Sequence, residues 1–231
     1  MTWFLDVNLF RSAAIIAFAA TIAVIVLHFV VTRPKFDDVF GKDRGARILD
    51  PVRVVIFFVT VLFVEQKWNF VGAVRKLVFL LALLCFVVLL VTGFVPMFFL
   101  GKAISGWWLL AHVAAAPVFA VCLAVLAVLW ADRNRLDKNY WQWLNSILNR
   151  QPKIAVAPEK HELKIRICFW VILLLSLPVI GSETLCMFNL FGPSGQGVLL
   201  QLHRYCTLLL SLFAIVYLYL AVLSEMEKTA K

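Results

Sequence analysis

The sequence predicts an all-α fold, a polytopic membrane helical bundle with about five transmembrane helices. Of its 231 residues, 63% are hydrophobic and only 15% are charged, which is more apolar side chain than a water-soluble core of this size can bury. These residues are also collected into long runs. Because hydrocarbon satisfies no backbone polar group, apolar runs of roughly 20 residues predict helices that cross a bilayer.

Four apolar runs are long enough to cross: Ala13 to Val31, Leu77 to Pro96, Trp107 to Trp130 and Val198 to Leu223. A fifth run, Ile165 to Ile180, is shorter and crosses if His161 to Lys164 lie at the interface. The run from Val54 to Val64 has about 11 apolar residues and is too short to cross upright. We interpret it as an interfacial or re-entrant segment, and a bundle of six helices is the alternative.

The basic residues fall in alternate loops. They are concentrated after the first span and between the third and fourth spans, whereas the segment Gly181 to Gly197 has none and Met97 to Gly106 has only Lys102. The net charge of +9 is therefore interpreted as a topology signal and not as a nucleic-acid-binding surface; contact with anionic lipid is a second interpretation. The positive-inside rule predicts an N-terminus outside and a C-terminus inside. The first residues lack the basic region and cleavage site of a signal peptide.

The short motifs of soluble enzymes are missing from the sequence. No phosphate-binding loop, nucleophile elbow or HExxH zinc motif occurs. The five cysteines form no CxxC or CxxCH pattern, so neither an iron–sulfur cluster nor a covalently attached haem is encoded. Candidate functional residues are therefore sought among the four histidines.

Two histidines have similar surroundings, "GWWLLAH" and "GVLLQLH", in which His112 follows Gly106 and His203 follows Gly197 by six residues. If each helix begins at its glycine, both rings lie roughly 9 Å from the helix start. Two neutral imidazoles at one depth on different helices can bind haem iron from opposite sides. The alternative is a pair of interhelical hydrogen bonds, worth on the order of 0.6 to 2 kcal/mol. Arg204 is a candidate partner for a haem propionate, or a side chain that extends to the interface.

Five segments from Phe70 onward carry a resemblance to a known family: "RKLVFLLALLCFVVLLVTGFVP", "GWWLLAHVAAAPVFAVCLAVLAVLWADRNR", "KHELKIRICFW", "LLQLHRYC" and "VYLYL". They resemble the cytochrome b, or gamma, subunit of membrane-bound formate dehydrogenases and its relatives in thiosulfate reductases and nickel–iron hydrogenases. The first segment carries the family's Leu-(Ser/Thr)-Gly pattern as "VTG". The resemblance implies a four-helix cytochrome b domain in residues 70–231. Residues 1–69 would add an N-terminal transmembrane helix, a basic loop and the interfacial segment.

The resemblance also implies a haem count. Members of this family usually bind two haems, one near each membrane face. His112 and His203 match the outer ligands, whereas Phe79 and Tyr217 stand at the inner ligand positions. One haem b is therefore expected, with two as the alternative. Two histidines are the candidates for a replacement inner site: His28 and His161.

An electron-transfer function follows from this resemblance, without a catalytic residue for other chemistry on the chain. The chain would connect an iron–sulfur subunit, with a molybdenum or other catalytic subunit, to the quinone pool of a prokaryotic cytoplasmic membrane. The apolar segment Gly181 to Gly197 is the expected docking loop, or else a loop that lies in the headgroups. The quinone candidates are Lys160, His161 and Glu162, which can also be simply the polar start of a helix. A haem-free membrane anchor or small transporter is the alternative function, although no inverted repeat is evident.

Overall fold

The computed structural model describes residues 2–32, 70–135, 140, 142, 145, 160–188 and 190–229. For residues 2–7, 32, 70, 71, 160, 161 and 225–229, only the backbone is described. This part of the chain is helical and contains no strand, which confirms the predicted all-α fold. Its helices are α1 Thr2–Thr32, α2 Phe70–Val95, α3 Gly106–Ala131, α4 Lys160–Met187 and α5 Pro193–Thr229.

Each of these five helices, α2 together with the helical turn that follows it, contains a stretch that is long and apolar enough to cross a membrane. The stretches are Asn8–Val31, Gly72–Leu100, Gly106–Ala131, Glu162–Met187 and Pro193–Ser224. The five predicted spans are confirmed. The span predicted from the short run Ile165 to Ile180 is included, and its stretch Glu162–Met187 extends beyond both ends of that run. Large apolar side chains remain exposed along them, such as Val128 at 79% and Leu174 at 64%, as expected for helices that face lipid. The segment Val54 to Val64 lies outside the described residues.

The chain divides into two compact units, Met1–Leu129 and Trp130–Thr229. In the described residues, the first unit consists of α1, α2 and α3 up to Leu129, and the second unit consists of the end of α3 together with α4 and α5. The predicted domain boundary between residues 69 and 70 lies at the edge of a segment outside the description and stays a prediction.

Pro96 changes the helix at the end of α2. A proline has no N–H to donate to the carbonyl four residues earlier, that of Thr92, and the chain continues as a π-helical turn, Pro96–Leu100. Gly101 ends this turn in the left-handed region, with φ 59° and ψ 24°, where a glycine carries no steric penalty. Gly106, with φ 59°, then begins α3.

Helix α1 is attached to this end of α2 by a charged hydrogen bond and by aromatic contacts. Arg11 Nη2 donates to the Phe98 carbonyl at 2.6 Å. Arg11 Nη1 lies 3.1 Å from the position that a Cβ on Gly101 would occupy, so the glycine leaves room for the guanidinium. Phe18 meets Phe94 and Phe98 edge to face, with ring centroids 5.0 and 5.9 Å apart. Together these contacts hold α1 against the π-helical turn.

In the second unit, α4 and α5 pack against each other as a hairpin. The predicted loop Gly181 to Gly197 is wrong for most of its length, because α4 continues to Met187 and α5 already begins at Pro193. A proline suits the first position of a helix, where its missing N–H has no intrahelical partner to lose. The Gln196 N–H donates to the Gly192 carbonyl at 3.0 Å and closes the first turn of α5. The connection between the helices therefore shrinks to residues 188–192.

The start of α4 is fixed to the end of α3. Trp170 Nε1 donates to the Asn134 carbonyl at 2.9 Å, and Arg166 Nη1 donates to the Arg135 carbonyl at 2.5 Å. The Arg166 guanidinium also lies 5.0 Å from the centroid of the Tyr140 ring, within the range of a cation–π interaction. The carbonyls of Asn134 and Arg135, just after the end of α3, therefore accept hydrogen bonds that hold the first turns of α4 in place.

We predict that Arg11→Met loosens α1 from α2, because it removes the donor to the Phe98 carbonyl while keeping a long apolar side chain. A hydrogen bond from a charged donor contributes about 2 kcal/mol, so the midpoint of thermal unfolding in detergent, followed by tryptophan fluorescence, is expected to fall. Lys102→Met is the control, since it removes a nearby exposed cation. Equal midpoints for the two variants would contradict this role for Arg11.

Candidate functional site

His112 lies on α3 and faces the end of α2. Its Nδ1 atom is 2.9 Å from Thr92 Oγ1. The Thr92 hydroxyl has one hydrogen, which it donates to the Val88 carbonyl of its own helix at 2.7 Å. The hydroxyl oxygen is therefore the acceptor and the His112 Nδ1–H is the donor. This arrangement assigns the proton to Nδ1 and the ring lone pair to Nε2.

The ring of His112 also packs on Gly93. Its Cε1 and Nδ1 atoms lie 3.4 and 3.9 Å from the position of a Cβ on Gly93. The first atom of a side chain there would already be in van der Waals contact with the imidazole, so glycine leaves the ring room beside the hydroxyl of Thr92. We call His112, Thr92 and Gly93 the His112 site.

His203 lies on α5 and faces α4. Its Nδ1 atom is 3.2 Å from the Val179 carbonyl and 3.5 Å from Ser182 Oγ. A carbonyl can only accept, and the Ser182 hydroxyl donates its hydrogen to the same Val179 carbonyl at 3.0 Å. The proton of His203 is therefore also on Nδ1, and its lone pair is on Nε2.

A carboxylate completes the surroundings of His203. Glu183 Oε2 lies 3.6 Å from His203 Nδ1, and the exposed fractions of the two side chains are 35% and 17%. This distance is too long for a hydrogen bond, and the Nδ1–H already donates to the Val179 carbonyl, so Glu183 contributes a negative charge beside the ring and not a second acceptor. We call His203, Val179, Ser182 and Glu183 the His203 site.

The two sites have a common pattern that was not recognised in the sequence. Thr92 precedes His112 by 20 residues and Ser182 precedes His203 by 21. The intervening sequences are also alike: "MFFLGKAISGWWLLAH" ends at His112 and "MFNLFGPSGQGVLLQLH" ends at His203. In each, a hydroxyl side chain on one helix holds the imidazole of the next helix. The spacing from hydroxyl to histidine is the signal that would have found Thr92 and Ser182.

The predicted distance from the start of the helix to the histidine is right for His112 and wrong for His203. Helix α3 begins at Gly106, as predicted, but α5 begins at Pro193 and not at Gly197. His203 therefore lies about ten residues, or roughly 15 Å, inside its helix, compared with roughly 9 Å for His112. The two histidines are therefore alike in the contacts of their rings and not in their distance from the helix start.

Two buried side-chain oxygens near His203 on α5 have no hydrogen-bond partner among the described residues. Thr207 lies one turn after His203 on the same face of α5, and its buried Oγ1 has no hydrogen-bond partner in the described part of the chain. The buried Oε1 of Gln201 is in the same situation. Buried oxygens normally have a partner in the protein, in water or in a ligand. Arg204, the predicted propionate contact, is half-buried three residues after Gln201, and its role stays a prediction.

Of the remaining candidates, the structure describes the side chains of Glu162 and His28. Helix α4 begins at Lys160, and the side chains of Lys160 and His161 lie outside the described residues. Glu162 is exposed in the first turn, where it pairs with Arg166 at 3.7 Å and lies at the favourable end of the helix dipole. His28 is half-buried on α1. Its predicted pairing with His161 cannot be described, and both haem-ligand roles stay predictions.

The described residues do not bring together three or more His, Cys, Asp or Glu side chains that could hold a bare metal ion. All five cysteines are free thiols, and Cys85, Cys122 and Cys168 are buried. A histidine with its lone pair on Nε2 suits a cofactor that brings its own equatorial ligands and requires only axial ones, as haem does.

Comparison with protein families identifies a cytochrome family. The family model for prokaryotic cytochrome b561 matches residues 76–230, about two thirds of the chain. The match covers both histidine sites and leaves out α1. Comparisons with curated proteins and with solved structures gave no match. The chain therefore belongs to the prokaryotic cytochrome b561 family, whose members are multi-pass membrane cytochromes that bind haem b and transfer electrons.

Proposed function

We propose that this chain is the membrane subunit of an oxidoreductase complex and passes electrons between an iron–sulfur subunit at the outer face and the quinone pool. The observation that carries the proposal is the assignment of both Nδ1 protons, which directs a lone pair to Nε2 of His112 and of His203. The family match favours this function over a haem-free anchor or small transporter. The resemblance to the gamma subunits of formate dehydrogenase, thiosulfate reductase and nickel–iron hydrogenase supports the kind of complex.

His112 and His203 are the proposed axial ligands of one haem b. Haem b supplies reversible one-electron transfer when it is bound. The chain's residues provide two imidazoles in the tautomer that ligates through Nε2, each oriented through Nδ1 by the preceding helix. Because Thr92 and Ser182 donate their hydrogens to carbonyls of their own helices, their oxygens are acceptors beside Nδ1 and favour a proton on that nitrogen.

One haem is proposed because Phe79 and Tyr217 occupy the positions of the family's inner ligands. Phenylalanine has no lone pair for iron. A tyrosine ligand would have to ionise among apolar side chains, which is costly where no water solvates the charge. A second haem held by His28 and His161 is the alternative.

We predict that His112→Ala and His203→Ala each remove the haem, because a six-coordinate haem needs both axial bonds. The measurement is a pyridine haemochrome assay per polypeptide on the purified chain, with one haem expected in the wild type. His28→Ala is the control and is expected to retain the full signal. Two haems per chain, or full signal in both alanine variants, would contradict the assignment.

The iron–sulfur subunit is proposed to dock on the connection between α4 and α5. Its side chains are apolar and exposed: Met187 is 66%, Phe188 55%, Leu190 73% and Phe191 43% accessible. The surrounding segment Gly181 to Gly197 contains no Lys or Arg. A cluster of exposed apolar groups is typical of a binding surface, and the headgroup region of the membrane is the alternative occupant. The basic loops support the orientation in which this end of the hairpin is outside and the C-terminus inside.

We predict that Phe188→Ser together with Leu190→Ser releases the iron–sulfur subunit and leaves the haem in place, since neither residue belongs to the His203 site. The measurement is the ratio of acid-labile sulfide to haem in the complex purified from native membranes. The matched control replaces Phe99 and Leu100, which are 80% and 62% exposed after α2, by serine. An unchanged ratio in the first variant would count against this docking surface.

The quinone is proposed to bind at the start of α4, near Lys160, His161 and Glu162. The resemblance of "KHELKIRICFW" to the family's quinone-lining segment supports this position. An imidazole exchanges protons near neutral pH, which quinone reduction requires. Arg166 and the Tyr140 ring, 5.0 Å apart, add a cation and an aromatic surface to the same end of α4.

We predict that His161→Ala slows the reduction of the haem by quinol by about tenfold or more, because a positioned proton acceptor is lost. Stopped-flow measurement of the α-band on the purified chain gives the rate, and the static haem spectrum should be unchanged. Lys164→Ala, an exposed residue one turn further along α4, is the control. An unchanged rate would remove His161 from the quinone site.

A further inference from the structure

The His112 and His203 sites differ at one equivalent position. The residue after Thr92 is Gly93, which contributes no side chain and lies under the ring of His112. The residue after Ser182 is Glu183, whose carboxylate lies 3.6 Å from Nδ1 of His203. Two otherwise similar helical hairpins therefore give one histidine an uncharged environment and the other a negative charge.

We propose that Glu183 lowers the reduction potential of the haem by acting through His203, an inference that rests on the proposed role of His203 as an axial ligand. Two effects have the same sign. The oxidised centre carries one more positive charge than the reduced centre, so a nearby carboxylate stabilises the oxidised form. The carboxylate is beyond hydrogen-bond distance of Nδ1, but its charge attracts the Nδ1 proton and so makes the imidazole a stronger electron donor to the metal, which again favours the oxidised form.

The surroundings of Glu183 allow its charge to act. Its side chain is 35% exposed, so roughly two thirds of it is shielded from the solvent that screens surface charges. The segment Gly181 to Gly197 contains no Lys or Arg to neutralise it. Arg204, next to His203, is the nearest cation in the sequence of α5, and it is present in every variant compared below.

Glu183 is a positioning residue in this proposal, because it does not ligate the iron and acts through the ring of His203. Its charge makes the two axial ligands unequal: the acceptor for His112 is a neutral hydroxyl, whereas a carboxylate accompanies the carbonyl acceptor of His203. A lower potential makes the haem a better electron donor, which suits transfer onward to a quinone.

The test is a spectroelectrochemical titration of the α-band on the full chain purified in detergent. Glu183→Gln keeps the shape of the side chain and removes the charge. Changes beside a ligating histidine cost roughly tenfold or more in metal affinity or activity. We expect an effect of that size on the equilibrium constant for one-electron reduction, and a tenfold increase in that constant corresponds to a midpoint about 59 mV higher. Haem content and the positions of the absorption bands are expected to stay those of the wild type.

Two further variants make the result specific. Asp132→Asn removes an exposed carboxylate in the turn after α3 and is expected to leave the midpoint unchanged. Glu183→Asp keeps the charge but withdraws it from Nδ1 by one methylene, so its midpoint should lie between those of the wild type and Glu183→Gln. If Glu183→Gln does not fold, Glu183→Asp carries the test, and a midpoint equal to that of the wild type overturns the inference.

A shift in Glu183→Gln that is no larger than that in Asp132→Asn, or a shift to lower potential, also overturns the inference. The proposed function would stand in that case, because it depends on the loss of haem in His203→Ala and not on the potential. A wild-type chain purified without haem would overturn both.

Discussion

The proton on each imidazole Nδ1 is the constraint around which both histidine sites are built. Hydrocarbon offers no acceptor for it, so the acceptor has to come from the neighbouring helix. His112 uses the hydroxyl of Thr92, and His203 uses the carbonyl of Val179 with Ser182 beside it. Each hydroxyl donates its own hydrogen to a carbonyl of its helix. Each ring therefore carries a proton on Nδ1, which leaves Nε2 as the nitrogen through which a neutral imidazole would ligate haem iron.

The need for an acceptor on the neighbouring helix appears in the sequence as a fixed spacing between the hydroxyl residue and the histidine. A hydroxyl 20 or 21 residues before a histidine can reach the ring only if the two helices run antiparallel with a short connection between them. The connections are made differently, with a π-helical turn and Gly101 after α2 and with Pro193 at the start of α5. The same hairpin pattern nevertheless holds one histidine in each unit. The two hairpins differ in charge, because the residue after the hydroxyl is Gly93 in the hairpin of α2 and α3 but Glu183 in the hairpin of α4 and α5.

Helix α1 shows how a segment outside the family match is joined to the cytochrome core. An arginine in a membrane span is costly unless its donors are used. Arg11 donates to Phe98, at the carbonyl end of a helix where the dipole favours a positive charge. Phe18 of α1 contacts Phe94, which is the residue that follows Gly93 in α2. The added helix therefore supports the same end of α2 that holds His112.

The sequence by itself determined the helical class and the five spans, because run length and hydropathy report directly on the solvent around each segment. Its motifs also indicated a cytochrome b family, which the family match confirms at that level, whereas the resemblance to the gamma subunits stays a proposal. It also singled out His112 and His203, since an ionisable ring in an apolar run is rarely without a role. It did not locate the start of α5 at Pro193, because the flanking residues are apolar as well and hydropathy does not mark where such a helix ends. Only the tertiary structure decided that Thr92, Ser182 and Glu183 meet the imidazoles. These contacts join residues about 20 positions apart on different helices, and their formation depends on helix packing, which local sequence patterns do not encode.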